Sequence, residues 1–228
     1  MFKWLLIAIA ALIAFVVGSW WHTRYRAEST LLEQPAYRIL KEHAPGVFAE
    51  LLDEYLLYQR DEETHARYLN FAHEKISSAA TRALPRASQQ SVLALVRDML
   101  STAKALQPAP DDACFRFWFP EIAGAPDVAA HIDPATQART LDLMAEVIRS
   151  AAEASQPPPD PQTVKDDLAG IIDETYRLYG ADAQMLANAA DPRADRTKMC
   201  AITNSIYERI LRLPAPAASN LLRAMAPG

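Results

Sequence analysis

SQQSVLALVRDMLSTAKALQPAP, residues 88–110, sets the fold class. Val92, Leu95, Val96, Met99, Ala103 and Leu106 recur at the three- and four-residue spacing of one helix stripe, and no two-residue alternation runs through them. Pro108 and Pro110 end the pattern, because proline has no backbone N–H and clashes with the preceding turn. Working outward, the same rhythm runs from Val47 to Leu84 through Phe48, Leu51, Leu52, Tyr55, Ala66, Leu69, Ile76 and Ala80, closed by Pro85 and predicted to bend or split at the charged QRDEETHAR. Upstream, Thr30 and Glu33 have capping-box spacing and predict a short helix that takes in Pro35 and ends around 43–46. Downstream, Asp133 and Pro134 read as N-cap and first residue of a helix with Leu141, Met144, Val147, Ile148 and Ala151 inward. A further helix carries Val164, Leu168, Ile171, Ile172, Thr175 and Leu178 and stops at Gly180. A short turn over 183–190, a helix from Asp195 to Leu213 and a last piece with Leu221, Leu222 and Met225 complete the chain.

Only 6 glycines and almost no alternating Val/Ile/Thr runs oppose sheets, while 16 prolines punctuate the periodic segments. The expectation is an all-α protein: an N-terminal transmembrane helix, then a bundle of about six or seven helices with one irregular, aromatic-rich loop over 111–132. Residues 1–26 form the anchor and 27–228 one helical domain, with PPPDP at 157–161 a stiff spacer and the place for a subdomain break.

The anchor rests on WLLIAIAALIAFVVGSWW, residues 4–21, inside an uncharged run from Trp4 to Thr23. Twenty helical residues at about 1.5 Å each span roughly the 30 Å hydrocarbon layer of a bilayer. Trp4 stands at one end and Trp20 with Trp21 at the other, where indole rings favour the water boundary. Gly18 and Ser19 admit signal-peptide cleavage, but no A-x-A pattern accompanies them and only Lys3 charges the leading end, so an uncleaved anchor is expected. Lys3 on one side opposes Arg24 and Arg26 on the other, and the positive-charge count gives no orientation.

The formal charge of −5 conceals a more acidic body: residues 1–30 hold Lys3, Arg24, Arg26 and Glu28, net +2, leaving −7 for the remainder. No concentrated basic face is visible, which argues against nucleic acid and against anionic headgroups as partners of the body.

CFRFWFP, residues 114–120, sets one of two cysteines among Phe115, Phe117, Trp118 and Phe119. Apolar neighbours disfavour a thiolate, so a nucleophilic role is not expected. Two cysteines behind an export-like segment suit one disulfide, Cys114 to Cys200, in an oxidising compartment such as a bacterial periplasm. The four aromatics are expected to plug the loop onto the bundle, or, where exposed, to make a partner-binding patch.

Glu62 and His65 have the Glu-x-x-His spacing of bundle metal ligands, and His73 lies about 20° from Glu62 around a helix. A di-iron bundle needs a second such pair, and His22, His43 and His131 lack it, so solvated helix residues are the expected role. Ser101 and Lys104 match S-x-x-K without K-T-G, S-D-N or a sheet, and no P-loop, G-x-S-x-G or H-E-x-x-H occurs. Tyr55 with Tyr58 and Tyr176 with Tyr179 are each three apart, a pattern commoner at a core rim than in a peptide groove.

These readings lead to an inner-membrane-anchored periplasmic binding or scaffold protein of a cell-envelope complex, non-enzymatic and without a cofactor, whose partners are the bilayer through residues 4–21 and another envelope protein. Two alternatives are an inhibitor or immunity-type protein and a metal-dependent envelope hydrolase built on Glu62, His65 and His73.

Overall fold

The computed structural model describes the backbone of residues 2–58 and 62–226, and side chains of residues 15–226 except 16, 58–66 and 129. All described secondary structure is helical, and the chain resolves into two compact units, Met1–Ile76 and Ser77–Gly228. The division falls inside a helix, and residues 157–161 lie within the second unit.

The first unit holds α1 (Phe2–Leu31), α2 (Pro35–His43), α3 (Pro45–Tyr58) and the leading part of α4 (Glu62–Ala83). Its core gathers Ala27, Leu31, Tyr37, Leu40, Phe48, Leu51, Leu52, Tyr68 and Ile76. The Tyr68 hydroxyl donates to that of Tyr37 across 3.1 Å inside this core, and burial pushes both phenols above the ordinary tyrosine range. Ion pairs stitch the rim: Arg24 to Asp53 (2.6 Å), Lys41 to Glu28 (2.7 Å) and Lys75 to Glu50 (2.6 Å).

One boundary differs from expectation. Thr30 is not an N-cap: it sits in the last turn of α1, its hydroxyl donating back to the Arg26 carbonyl (3.1 Å), and α2 begins at Pro35 after the extended Gln34. The helix simply continues through a hydroxyl residue that satisfies itself on the preceding turn. The helical run of 47–84 is described as α3 and α4, and 59–61, in the charged stretch where a bend or split was expected, lie outside the described residues.

Among the described residues no helix is long and apolar enough to cross a membrane. Most of the expected anchor, residues 4–14 and 16, lies outside the described side chains. Of the rest, Phe15, Val17, Trp20, Trp21 and Tyr25 are all exposed on α1.

The second unit is built around α5 (Gln89–Leu106). Ser88 caps it, its hydroxyl accepting from the Ser91 N–H (3.2 Å). Burial extends beyond the expected stripe to Leu93, Asp98, Leu100 and Thr102, while Met99 is only half-buried, because α5 has neighbours on several sides. Those neighbours are α6 (Ala113–Trp118), α8 (Pro134–Glu153), α10 (Arg196–Arg212) and α11 (Ala215–Met225).

The loop after Pro110 is not irregular throughout. CFRFW belongs to the six-residue helix α6, followed by α7 (Pro120–Ala123) and a 3₁₀ turn at Val128–Ala130. Elements of three to six residues are shorter than the window in which a 3.6-residue period can be seen, and they also raise the helix count to eleven among the described residues. Asp111 and Asp112 turn the chain into α6 with positive φ of 59° and 54°, a region in which Asp is tolerated.

Asp133 caps α8 as expected, and the same device recurs unannounced at Asp160, which caps α9 (Pro161–Tyr179): in each Asp-Pro-x-Thr, the carboxylate accepts from the threonine N–H and hydroxyl. These bonds hold both carboxyls below the usual aspartate range. Gly180, at φ 54°, ends α9 and donates to the Tyr176 carbonyl. PPPDP is held down on the second unit: the Gln156 N–H donates to the Arg86 carbonyl (2.9 Å), and the buried Arg223 of α11 donates to the carbonyls of both Pro85 and Pro157.

Candidate functional site

The two cysteines meet where α6 abuts α10. Their sulfurs lie at disulfide distance with Cα atoms 5.8 Å apart, joining positions 86 residues apart across PPPDP. Ala103, Leu106, Ala113 and Ile132 close around them, with Phe117, Trp118 and Val128 half-buried at the edge. The four aromatics do different things. Phe115 is buried and stacks on Phe119 at 4.9 Å, and the Arg196 guanidinium lies over the Phe115 ring, 5.0 Å from its centroid. Trp118 lies flat on Tyr207 of α10 (4.4 Å between rings) and its indole N–H donates to the Asn204 side-chain oxygen Oδ1 (2.8 Å). The Asn204 amide in turn faces both sulfurs, 3.8 Å from Cys114 and 3.6 Å from Cys200. Phe117 packs edge-on against Trp118. The stretch packs as a plug, held by the cysteine pair at disulfide distance, one indole hydrogen bond and the stack of Trp118 on Tyr207.

Beside the plug a cleft of about 170 Å³ lies among residues 107–115 and the first turn of α10, flanked by Asp112 and Arg196, themselves paired at 3.1 Å. That is below the roughly 300 to 1,000 Å³ of ordinary small-molecule sites. A second, open hollow of about 460 Å³ is lined by Pro85, Arg86 and residues 155–159.

Glu62 and His65 lie outside the residues whose side chains are described, and His73 is exposed on α4. Among the described residues no three His, Cys, Asp or Glu side chains gather as a metal-binding group. Ser101 is exposed and Lys104 is engaged by Glu208 at 2.5 Å. Tyr55 packs edge-on against the buried Tyr68.

The surface that spacing alone did not reveal is the outer side of α9. The six positions expected to face inward include only two that are buried, Ile171 and Thr175. Ile172, Tyr176 and Leu178 are exposed, and Val164, Leu168 and Tyr179 are half-buried. Exposed Ile172 and Tyr176, with half-buried Val164 and Leu168, therefore form a four-residue-spaced apolar stripe partly open to solvent, bordered by exposed Lys165, Asp173 and Arg177. The helix is held from behind by α10 and α11 and by Glu174, whose carboxyl is drawn below the usual range by the buried Arg209 guanidinium. The signal was present in the sequence: two overlapping stripes, 164/168/172/176 and 171/175/178, are more apolar surface than one neighbour covers.

No protein-family model, curated protein or solved structure matches the chain.

Proposed function

We propose that this chain is a single-pass, membrane-anchored helical protein whose body lies on the oxidising, periplasmic side of a bacterial inner membrane and serves as a binding or scaffold component of an envelope complex. The observation that carries the compartment is the Cys114–Cys200 pair, at bonding distance within a packed core, together with the uncharged run of residues 4–23. The binding role is supported by the partly exposed apolar stripe of α9, which suits an apolar partner surface better than a substrate cleft.

The test is a fractionation with protease protection. The full-length protein stays with membranes through alkaline extraction, and its body is digested in spheroplasts but not in intact cells. Release by alkali, or protection in spheroplasts until lysis, would count against the reading. For the binding role, a photoreactive side chain at Tyr176 should crosslink one reproducible envelope partner that is lost with Ile172→Asp. Crosslinks unaffected by that change would point elsewhere.

A further inference from the structure

The open hollow of about 460 Å³ between Pro85 and residues 155–159 has walls that the sequence makes stiff and one buried side chain holds in place. Residues 155–160 belong to no helix. The rings of Pro157, Pro158 and Pro159 set φ near −65°, and Gln156, Pro157, Pro158 and Asp160 each precede a proline, which confines them to extended backbone. Asp160, at φ −65° and ψ 119°, conforms. Ring closure and the restriction before proline therefore make the stretch a polyproline II segment, ended by the cap and proline that open α9.

Across the hollow stands the turn of Pro85 and Arg86, and the two walls are tied together. The Arg223 guanidinium donates to the Pro85 carbonyl from Nε (3.0 Å) and Nη2 (2.8 Å), and Nη2 also donates to the Pro157 carbonyl. The Gln156 N–H donates to the Arg86 carbonyl (2.9 Å). Arg223 is only 6% exposed, yet among the described residues its partners are these carbonyls and the Asn220 side-chain oxygen (3.4 Å), with no carboxylate among them. Arg86 is exposed at the lip and is likewise unpaired with any described acid. Glu153 and Asp160, the acids that flank the stretch in the chain, are engaged by Arg149 and by Thr163. The hollow is thus preformed, faced with proline rings and electropositive.

We propose that this hollow docks a short segment of a partner polypeptide in which an aromatic residue stands next to an acidic one: the ring enters between Pro85 and Pro157–Pro159, and the carboxylate meets Arg86. Proline-rich backbone held in the polyproline II form binds aromatic side chains at little entropic cost, and here a buried guanidinium fixes that form in advance. The unpaired Arg86 selects the acid, and the charge of Arg223 behind the wall favours the same sign. Ile172 of α9 lies eleven helical residues beyond Pro161, about 16 Å along the axis, so this surface is distinct from the stripe described above.

The full-length protein in mild detergent is used to select from a library of random peptides displayed on phage, and the tightest binder is remade as a fluorescent synthetic peptide and titrated by anisotropy. The expected result is enrichment of sequences with Trp, Tyr or Phe beside Asp or Glu. Affinity should fall roughly three- to tenfold with Arg86→Glu, and roughly tenfold or more with Ser155→Trp, which fills the hollow from its exposed rim. Arg177→Glu, on exposed α9, should leave it unchanged. Enrichment of no sequence, or of sequences lacking the aromatic and acidic pair, would overturn the proposal. So would a selected peptide indifferent to either Arg86→Glu or Ser155→Trp, and loss of binding with Arg177→Glu would move the peptide to α9. All three substituted residues are exposed, and matching circular dichroism melts confirm that the variants fold.

Discussion

Removing the crosslink by Cys114→Ala with Cys200→Ala tests the energetic role assigned to it. The bond closes a loop defined by a sequence separation of 86, and the loss of chain entropy on closing such a loop stabilises the fold by about 4 to 5 kcal/mol. For a body of this size each kcal/mol corresponds to roughly 2 to 4 °C, so the double variant should melt about 8 to 20 °C below wild type. The residual plug sets the lower bound, since Trp118 on Tyr207 and its bond to Asn204 still hold α6 against α10. Thermal unfolding followed at 222 nm in mild detergent measures the shift, and reduced wild type should melt with the double variant. A loss of less than about 2 °C would refute the reasoning, meaning that the ring stacks restrict the chain without the covalent bond.

Arg139→Ala should destabilise by about 1 to 3 kcal/mol, because it strips the guanidinium from Asp98, whose side chain is 3% exposed and retains only the Thr140 hydroxyl. Arg139→Ala/Asp98→Leu should recover part of that loss in urea titrations, and equal stability of Arg139→Ala and wild type would contradict it. Tyr37, Tyr68 and Tyr207 are all shifted upward by burial. Their stabilising contribution is therefore complete below the unfolded tyrosine pKa near 10 and falls as pH rises above it. Absorbance at 295 nm should show these three phenols ionising only with alkaline unfolding, and independent titration before unfolding would refute their packing. At the acid end, Asp133, Asp160 and Glu174 have depressed folded values. The stability they supply is present above about pH 4 and is lost as pH falls through the folded values. Asp133→Asn with Asp160→Asn should flatten that acid limb in pH-dependent melts, and an unchanged limb would contradict the assignment.

Much of the fold was legible because helices announce themselves by period and punctuation. Ser88, Asp133 and Gly180 stand where capping chemistry places them, and α5 and α8 bury most of the predicted positions. What escaped has physical reasons. Thr30 resembles a cap but bonds backward within α1, an alternative that sequence alone does not separate. CFRFW is too short for periodicity, and its helix exists because Phe115, Trp118 and the disulfide have α10 to pack against. The pairing of Cys114 with Cys200 followed from their count. The distinction between buried Phe115 and half-buried Phe117 and Phe119 depends on tertiary neighbours. Ile172 and Leu178 were expected inside because apolar spacing reports amphipathicity and not which face finds a partner.

The central claim is that the body folds in an oxidising compartment with Cys114 joined to Cys200. The direct measurement is the gel shift of the protein from intact cells, trapped in acid and then alkylated under denaturing conditions with a bulky maleimide. The account predicts no adduct without reductant and two with it; two adducts without reductant would contradict it.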